Sequence, residues 1–434
     1  MGSLRAFEPD TATRTLLRCA ADDVRRTSGA RVGDLVEAAL VRTLTDTVGV
    51  DETGRVFVIT GDIPAMWLRD STTQLTPYLR FLDRSTQLAD LVEGVVRRQF
   101  GFLAHDSYAN AFNDGPTGAH YDPDDVCDDP EVWEQKYEVD SLCYPVTLAH
   151  TLWRRTGRTA FLDRQVHDVL RAIVAQLRAE QDHDSSPYRF ERDTAIPTET
   201  LARGGRGSAV ARTGMTWSGF RPSDDACTYG YNVPANLFAA QALRSLGEIA
   251  EEVLDDAALA QDARVLSEEL ADAVTAHGIV PGPDGAPIYA YEVDGLGGVL
   301  VMDDANTPSL LSLPLIAPDV LDRTVWEATR TAMLGPANPH WFSGTALEGI
   351  GSPHTRAHRV WPIALAVQGL VGTPADRIRL LATIARTDAG TGHIHESIDV
   401  DDPTVFTRPW FSWAESMFCE LALQVADEGA ARVE

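Results

Sequence analysis

Residues Ser218–Asn236 read SGFRPSDDACTYGYNVPAN, a stretch too irregular for a core element that ends where an apolar, helix-spaced run begins. It is a loop feeding a helix. Asp224 and Asp225 stand side by side, Arg221 lies three residues ahead of them, and Phe220, Tyr229 and Tyr231 offer ring faces for a sugar. Near the far end, Gly392–Trp413 (GHIHESIDVDDPTVFTRPWFSW) places Glu396 between His395 and Ser397. Carboxyl groups delivered by two distant loops suggest acid and base chemistry.

Outward from this loop, the chain alternates helical runs with long polar, aromatic connections. Apolar residues three and four apart predict helices over 13–27 and 32–48, with Val32, Leu35, Val36, Ala39 and Leu40 on one face. A short strand over 55–60 follows. Further helices are predicted over 72–82, 85–103, 140–156, 159–180, 236–250, 256–277, 310–315, 318–334, 355–371, 374–386 and 410–425, with extended chain over 287–293. Helical hairpins set in a ring carry their long connections to one end, where they can line a single pocket. The expected fold is therefore all-α dominated, an (α/α)6 toroid of six hairpins with a few short strands. No fixed repeat and no Gly/Ser linker is present, so one domain over 1–434 is expected, with residues 1–10 a flexible tail.

Composition narrows the function. A net charge of −27 disfavours nucleic acid and anionic membranes as partners. The only lysine is Lys136, which leaves little room for Schiff-base or P-loop chemistry. Five scattered cysteines form no CxxC pair and no zinc pattern, and read as reduced thiols. The first residues carry no apolar export segment and no run reaches membrane-spanning length, so a cytoplasmic location is expected. No GxSxG, Walker A, HExxH or strand-linked GxGxxG occurs. Many acids and aromatics without a cofactor signature fit a hydrolase of carbohydrates.

The other long loops add candidates. GDIPAMWLRDS, 61–71, groups Trp67, Arg69 and Asp70; an Arg beside an Asp can grip vicinal hydroxyls, and Asp70 could equally cap the next helix. The acid-rich 105–137 insertion contains Asn110, Asn113, Asp114, Asp122, Asp124, Asp125, Asp128 and Asp129, without the spacing of an EF-hand. It reads as a solvated acidic loop, and Asp140 just beyond it as a helix N-cap. MDDANTP, 302–308, offers Asp303 and Asp304, one for capping and one for a pocket. His354 follows Pro353 ahead of an apolar helix containing Trp361.

Together, TGDIPAMWLRDSTTQLTPYL, WEQKYEVDSLCYP, GMTWSGFRPSDDACTYGYNVPAN, MDDANTPSLLSLP, GIGSPHT and HESIDVDDPTVFTRPWFSWAESMF resemble glycoside hydrolase family 125, over about residues 55 to 420. The resemblance implies an (α/α)6 barrel and a metal-independent exo-α-mannosidase that removes α-1,6-linked mannose with inversion and needs no cofactor. It implies a mannose-containing oligosaccharide as partner. It places the general acid on the Asp pair of RPSDDA, Asp224 with Asp225 as the alternative, and the general base on Glu396. Substrate contacts are expected from Trp67, Arg69, Asp70, Arg221, Tyr231, Asp303 and His354. An inverting pair should stand ~6.5 to 9.5 Å apart, a retaining pair ~5 to 5.5 Å. The rival readings are an α-glycosidase of the same barrel with another sugar or linkage, and a glycan-binding protein without turnover.

Overall fold

The computed structural model describes residues 4–123 and 125–431. Asp124 of the acid-rich insertion and residues 1–3 of the expected tail lie outside them. Fourteen α-helices dominate the described residues, and no strand exceeds three residues. Two compact units emerge: Met1–Met66, Asp70–Val95 and His340–Glu434 form one, Trp67–Arg69 and Val96–Pro339 the other.

In the first unit, helices Thr11–Ser28 and Ala30–Asp46 pack on each other and on Ser412–Ala431. The face predicted for the second helix is the buried one: Val32, Leu35, Val36, Ala39 and Leu40 all face inward. Asp10 caps the first helix through the Thr13 N–H, and Gly29, with φ 92°, makes the turn between the two. Residues 4–10 are not a loose tail. Arg5–Ala6 pairs antiparallel with Gly49 and Val50, and Phe7 is buried, so sheet hydrogen bonds and one apolar anchor hold this segment. The helix predicted over 72–82 divides into Leu68–Thr73 and a 3-10 turn, Thr76–Phe81, because Pro77 removes an N–H and fits only a first turn. Likewise the helix expected over 355–371 begins only at Pro362; Arg359–Val360 is a strand, paired with Ile398 and Asp399, and Trp361 stays extended ahead of the proline. Pro362–Leu370 is buried on every side and folds back on Pro374–Arg386, which starts at a Thr373–Asp376 capping box.

In the second unit, helices Val139–Thr156, Arg164–Ala179, Val233–Glu252 and Ala257–His277 pack in neighbouring pairs. The first closes on Gly157 in the left-handed conformation. Short strands tie the intervening loops together. Ala111–Phe112 pairs with Val132–Glu134, and Glu292–Val293 pairs with both Tyr231–Asn232 and Val299–Leu300. These small sheets put Glu134 and Glu292 into the interior beside the 218–236 loop. The last helix of this unit starts at Arg323 rather than 318, because Asp322 accepts from the Thr324 and Val325 N–H groups and sets the cap there.

Candidate active site

The Asp pair sits on a tight reversal. Asp224 N–H donates to Arg221 O at 2.9 Å, Arg221 N–H donates to Asp225 O at 2.8 Å, and Phe220 bridges Ala226. Pro222 holds the second turn position, and Asp224 occupies the left-handed region with φ 68°. Glycine is usual there in a three-residue hairpin loop. An aspartate tolerates the conformation better than most residues, and the turn directs its two acids differently. The Asp224 side chain is 26% exposed, whereas Asp225 is buried.

Asp224 Oδ1 accepts from Arg69 Nη2 at 3.1 Å and Asn110 Nδ2 at 3.3 Å. Arg69 is itself buried, and its Nη1 donates to Glu138 Oε2 at 2.6 Å and Asp140 Oδ2 at 3.2 Å. One guanidinium thus serves three carboxyl groups. Burial pushes the Glu138 carboxyl well above its ordinary range and raises Asp140 to about 6, with Arg69 acting against both shifts. Asp140 is therefore not the expected N-cap: Glu138 occupies the cap position, and Asp140 lies in the first turn facing Arg69. Asn110 connects this cluster to a second one through Glu134 Oε2 at 3.4 Å. There Lys136 pairs with Glu199 at 2.8 Å and Glu134 at 3.3 Å, while Arg192 pairs with Glu134 at 2.8 Å, Glu199 at 2.7 Å and Asp125 at 2.5 Å. The acidic insertion is accordingly not simply solvated, because its Asp125 carboxylate is buried against Arg192.

Other candidates of this unit turn inward. Arg221 pairs at 2.5 Å with Glu292, which also accepts from the Thr228 and Tyr229 N–H groups, so its charge holds the loop rather than an open face. Phe220 and Tyr231 are buried; the Tyr231 hydroxyl donates to Ala211 O, and neither ring offers the stacking platform expected of it. Trp67 is also buried, on the strand that enters Leu68–Thr73. Asp303 is fully buried, accepting from the N–H groups of Leu310 at 2.8 Å and Leu311 at 2.9 Å, and burial raises its pKa to about 7. Its neighbour Asp304 keeps one oxygen, Oδ2, without a hydrogen-bond partner among the described residues.

In the first unit, Glu396 precedes the strand Ser397–Asp399, and its N–H donates to Thr407 O at 3.3 Å. Arg408, left-handed at φ 45°, pairs with Glu396 at 3.5 Å and with Asp62, and donates to Thr60 Oγ1 at 2.7 Å. The Asp70 carboxylate adds to the field on Arg408. Asp70 sits within the first turn of Leu68–Thr73 rather than at its cap. His395 stacks on Phe406 at 3.7 Å between ring centroids and makes contacts with the Pro409 and Asp388 carbonyls, a rigid seat for the residue that follows. His354 is half-buried, edge-on to Trp361.

Sequence reasoning did not assign Glu138, Glu292 or Arg408 to a site. All three lie inside or beside segments already rich in candidates, but the signal that selects Glu138 and Glu292 is a partner about 70 residues away, and Arg408 is tied to Asp62, 346 residues back.

The model of the metal-independent alpha-mannosidase family, glycoside hydrolase family 125, matches residues 30–423. A solved metal-independent alpha-mannosidase of Streptococcus pneumoniae, in a non-productive complex with alpha-1,6-mannobiose, is 42% identical; the match covers 98% of this chain and 100% of that one, with a TM-score of 0.94. The meiotically up-regulated gene 157 protein of Schizosaccharomyces pombe is 38% identical over 395 residues, 86% of this chain and 77% of that protein. A bacterial glucoamylase solved with acarbose shares the fold at a TM-score of 0.56 and 11% identity, over 91% of this chain and 55% of that one. The helix-dominated fold expected from the sequence is thus that of the (α/α)6 glycosidases.

Proposed function

Because this chain belongs to the metal-independent α-mannosidases of glycoside hydrolase family 125, we propose that it removes non-reducing terminal α-1,6-linked mannose, one residue at a time, with inversion. Asp224 gives its proton to the glycosidic oxygen. Glu396 takes a proton from the water that attacks the anomeric carbon. The leaving sugar departs with the proton from Asp224; afterwards Glu396 gives its proton up to solvent and Asp224 regains one from solvent, so the cycle closes with one water consumed.

The observation that carries this reading is the setting of Asp224: a carboxyl partly open to solvent, fixed on a left-handed turn, with buried carboxyl groups behind it. Such a setting suits a group that must present one proton in one direction. The mannobiose bound by the Streptococcus pneumoniae enzyme supports the linkage. Arg69, Asp70 and His354 remain our candidates for holding the sugar.

Proton NMR of α-1,6-mannobiose hydrolysis from its first minutes tests the proposal. The expected first product is β-mannose, with mannose as the only sugar released from the ends of longer substrates. Asp224→Asn and Glu396→Gln should each lose about 10²- to 10⁴-fold in rate, the range for a positioned acid or base. Asp224→Asn should lose far less on α-mannosyl fluoride, whose leaving group needs no proton. Early α-mannose would mean retention and would remove Glu396 from the role of base.

A further inference from the structure

Asp224 is surrounded by groups that pull its ionisation in opposite directions. Arg69 and Asn110 both donate to Oδ1, and donors on a carboxylate favour its charged form. An acid held only in that way loses its proton before substrate arrives. Glu138 supplies the opposing pull. It is fully buried, its Oε2 accepts from Arg69 at 2.6 Å and Ser141 Oγ at 3.1 Å, and its Oε1 has no hydrogen-bond partner among the described residues. A buried carboxylate oxygen in that position is costly as an anion and is relieved by a proton. The Glu138 and Asp224 carboxyl groups are held side by side on one guanidinium, Glu138 Oε2 on Arg69 Nη1 and Asp224 Oδ1 on Arg69 Nη2. Two carboxyl groups that share one cation in a buried setting disfavour each other's charge, so retaining one proton relieves the pair.

We propose that Glu138 and Asp224 hold one proton between them, and that Glu138 is the positioning residue that keeps the general acid loaded at neutral pH. The inference rests on the reading of Asp224 as the acid. In the step itself the pair begins with one proton and ends with none; that proton leaves on the departing hydroxyl, and the doubly charged pair regains one from water.

The surrounding groups fit this account. Glu138 is faced by Arg69, by Asp140 and Ser141 of its own helix, by Cys227 and Asp224 of the 218–236 loop, and by Tyr188. Burial pushes Cys227 and Tyr188 up, so both stay neutral near pH 7. Asp224 is faced in addition by Glu134, Lys136 and Tyr121, with Lys136 already engaged by Glu134 and Glu199. Among these groups three cations, Arg69, Lys136 and Arg192, meet six carboxyls, Glu134, Glu138, Asp140, Asp224, Glu199 and Asp125. Retaining a proton lowers that imbalance.

The test is the pH profile of kcat/KM on α-1,6-mannobiose for the wild type, Glu138→Gln and Asp140→Asn, joined to infrared spectra at neutral pH. A lone acid gives up its proton earlier than a pair that shares one. The alkaline limb of Glu138→Gln should therefore move to lower pH by about one unit or more, and that of Asp140→Asn by clearly less. The wild type should show a neutral-carboxyl band that is absent from the difference partner Asp224→Asn. An unmoved alkaline limb, an equal shift in Asp140→Asn, or no such band overturns the proposal. If Glu138→Gln does not fold, the wild-type and Asp224→Asn spectra decide alone. Full turnover of mannobiose by Asp224→Asn would instead remove the assignment of the acid, whereas a dead Asp224→Asn with an unmoved Glu138→Gln profile removes only the shared proton.

Discussion

At the scale of single residues, backbone and side chain can be separated at Asp224. The left-handed conformation suits Asn as well as Asp and penalises branched residues by about 1–2 kcal/mol. Asp224→Asn should therefore unfold in urea at the same or a higher concentration than the wild type, since it also removes a negative charge beside Glu138. Asp224→Val should unfold earlier by that penalty or more. Equal urea midpoints for the two variants would show that the turn is not what constrains the site. Asp303 gives the opposite case. Both of its oxygens accept backbone N–H groups, so Asp303→Asn turns an amide donor toward a donor in a dry interior. We expect a loss of about 1–3 kcal/mol in chemical denaturation. A wild-type midpoint would place the carboxylate's importance elsewhere.

At the scale of elements, the 218–236 loop is held against the interior by tight packing as well as by charge. Trp217 stacks on His183 at 3.4 Å between centroids, and a Cβ on Gly230 would meet the Trp217 Nε1 at 2.2 Å. Gly230→Ala must displace that ring, at a cost of about 1–3 kcal/mol, and should shift Trp fluorescence together with the melting temperature. Unchanged emission and stability would mean the ring has room to move. Helices were legible where period and punctuation agreed: Pro374–Arg386 has the predicted bounds because Thr373, Pro374 and Asp376 mark its start. Misreadings came where a proline or a strand interrupted an apolar run, as at Pro77 and Arg359–Val360. The loops carrying Asp224 and Glu396 were recognisable from their composition. Their partners were not, since nothing in the run around Arg221 announces Glu292, and no local rule gives Asp224 a positive φ.

At the scale of the whole molecule, charge is the controlling quantity. Carboxyls raised by burial, among them Glu138, Asp140 at about 6 and Asp303 at about 7, stay protonated in the folded chain where the unfolded chain has already ionised. Unfolding then releases protons, so these groups contribute full stability below about pH 4 and lose it as pH rises toward 7. Self-repulsion from a net charge of −27 acts in the same direction. The urea midpoint should accordingly be higher at pH 5.5 than at pH 7.5, and added salt should narrow the gap by screening the exposed part. A midpoint that rises with pH would mean that carboxylates held down by their partners, such as Asp256 beside His167 and Arg171, dominate instead. Lys136 has a practical consequence of its own. The chain's one side-chain amine is enclosed between Glu134 and Glu199, so an acylating reagent finds no lysine on the folded surface. Covalent uptake at that position becomes a clock for the opening of the interior behind Asp224, read by mass spectrometry under native conditions, and bound sugar that steadies this region should slow it.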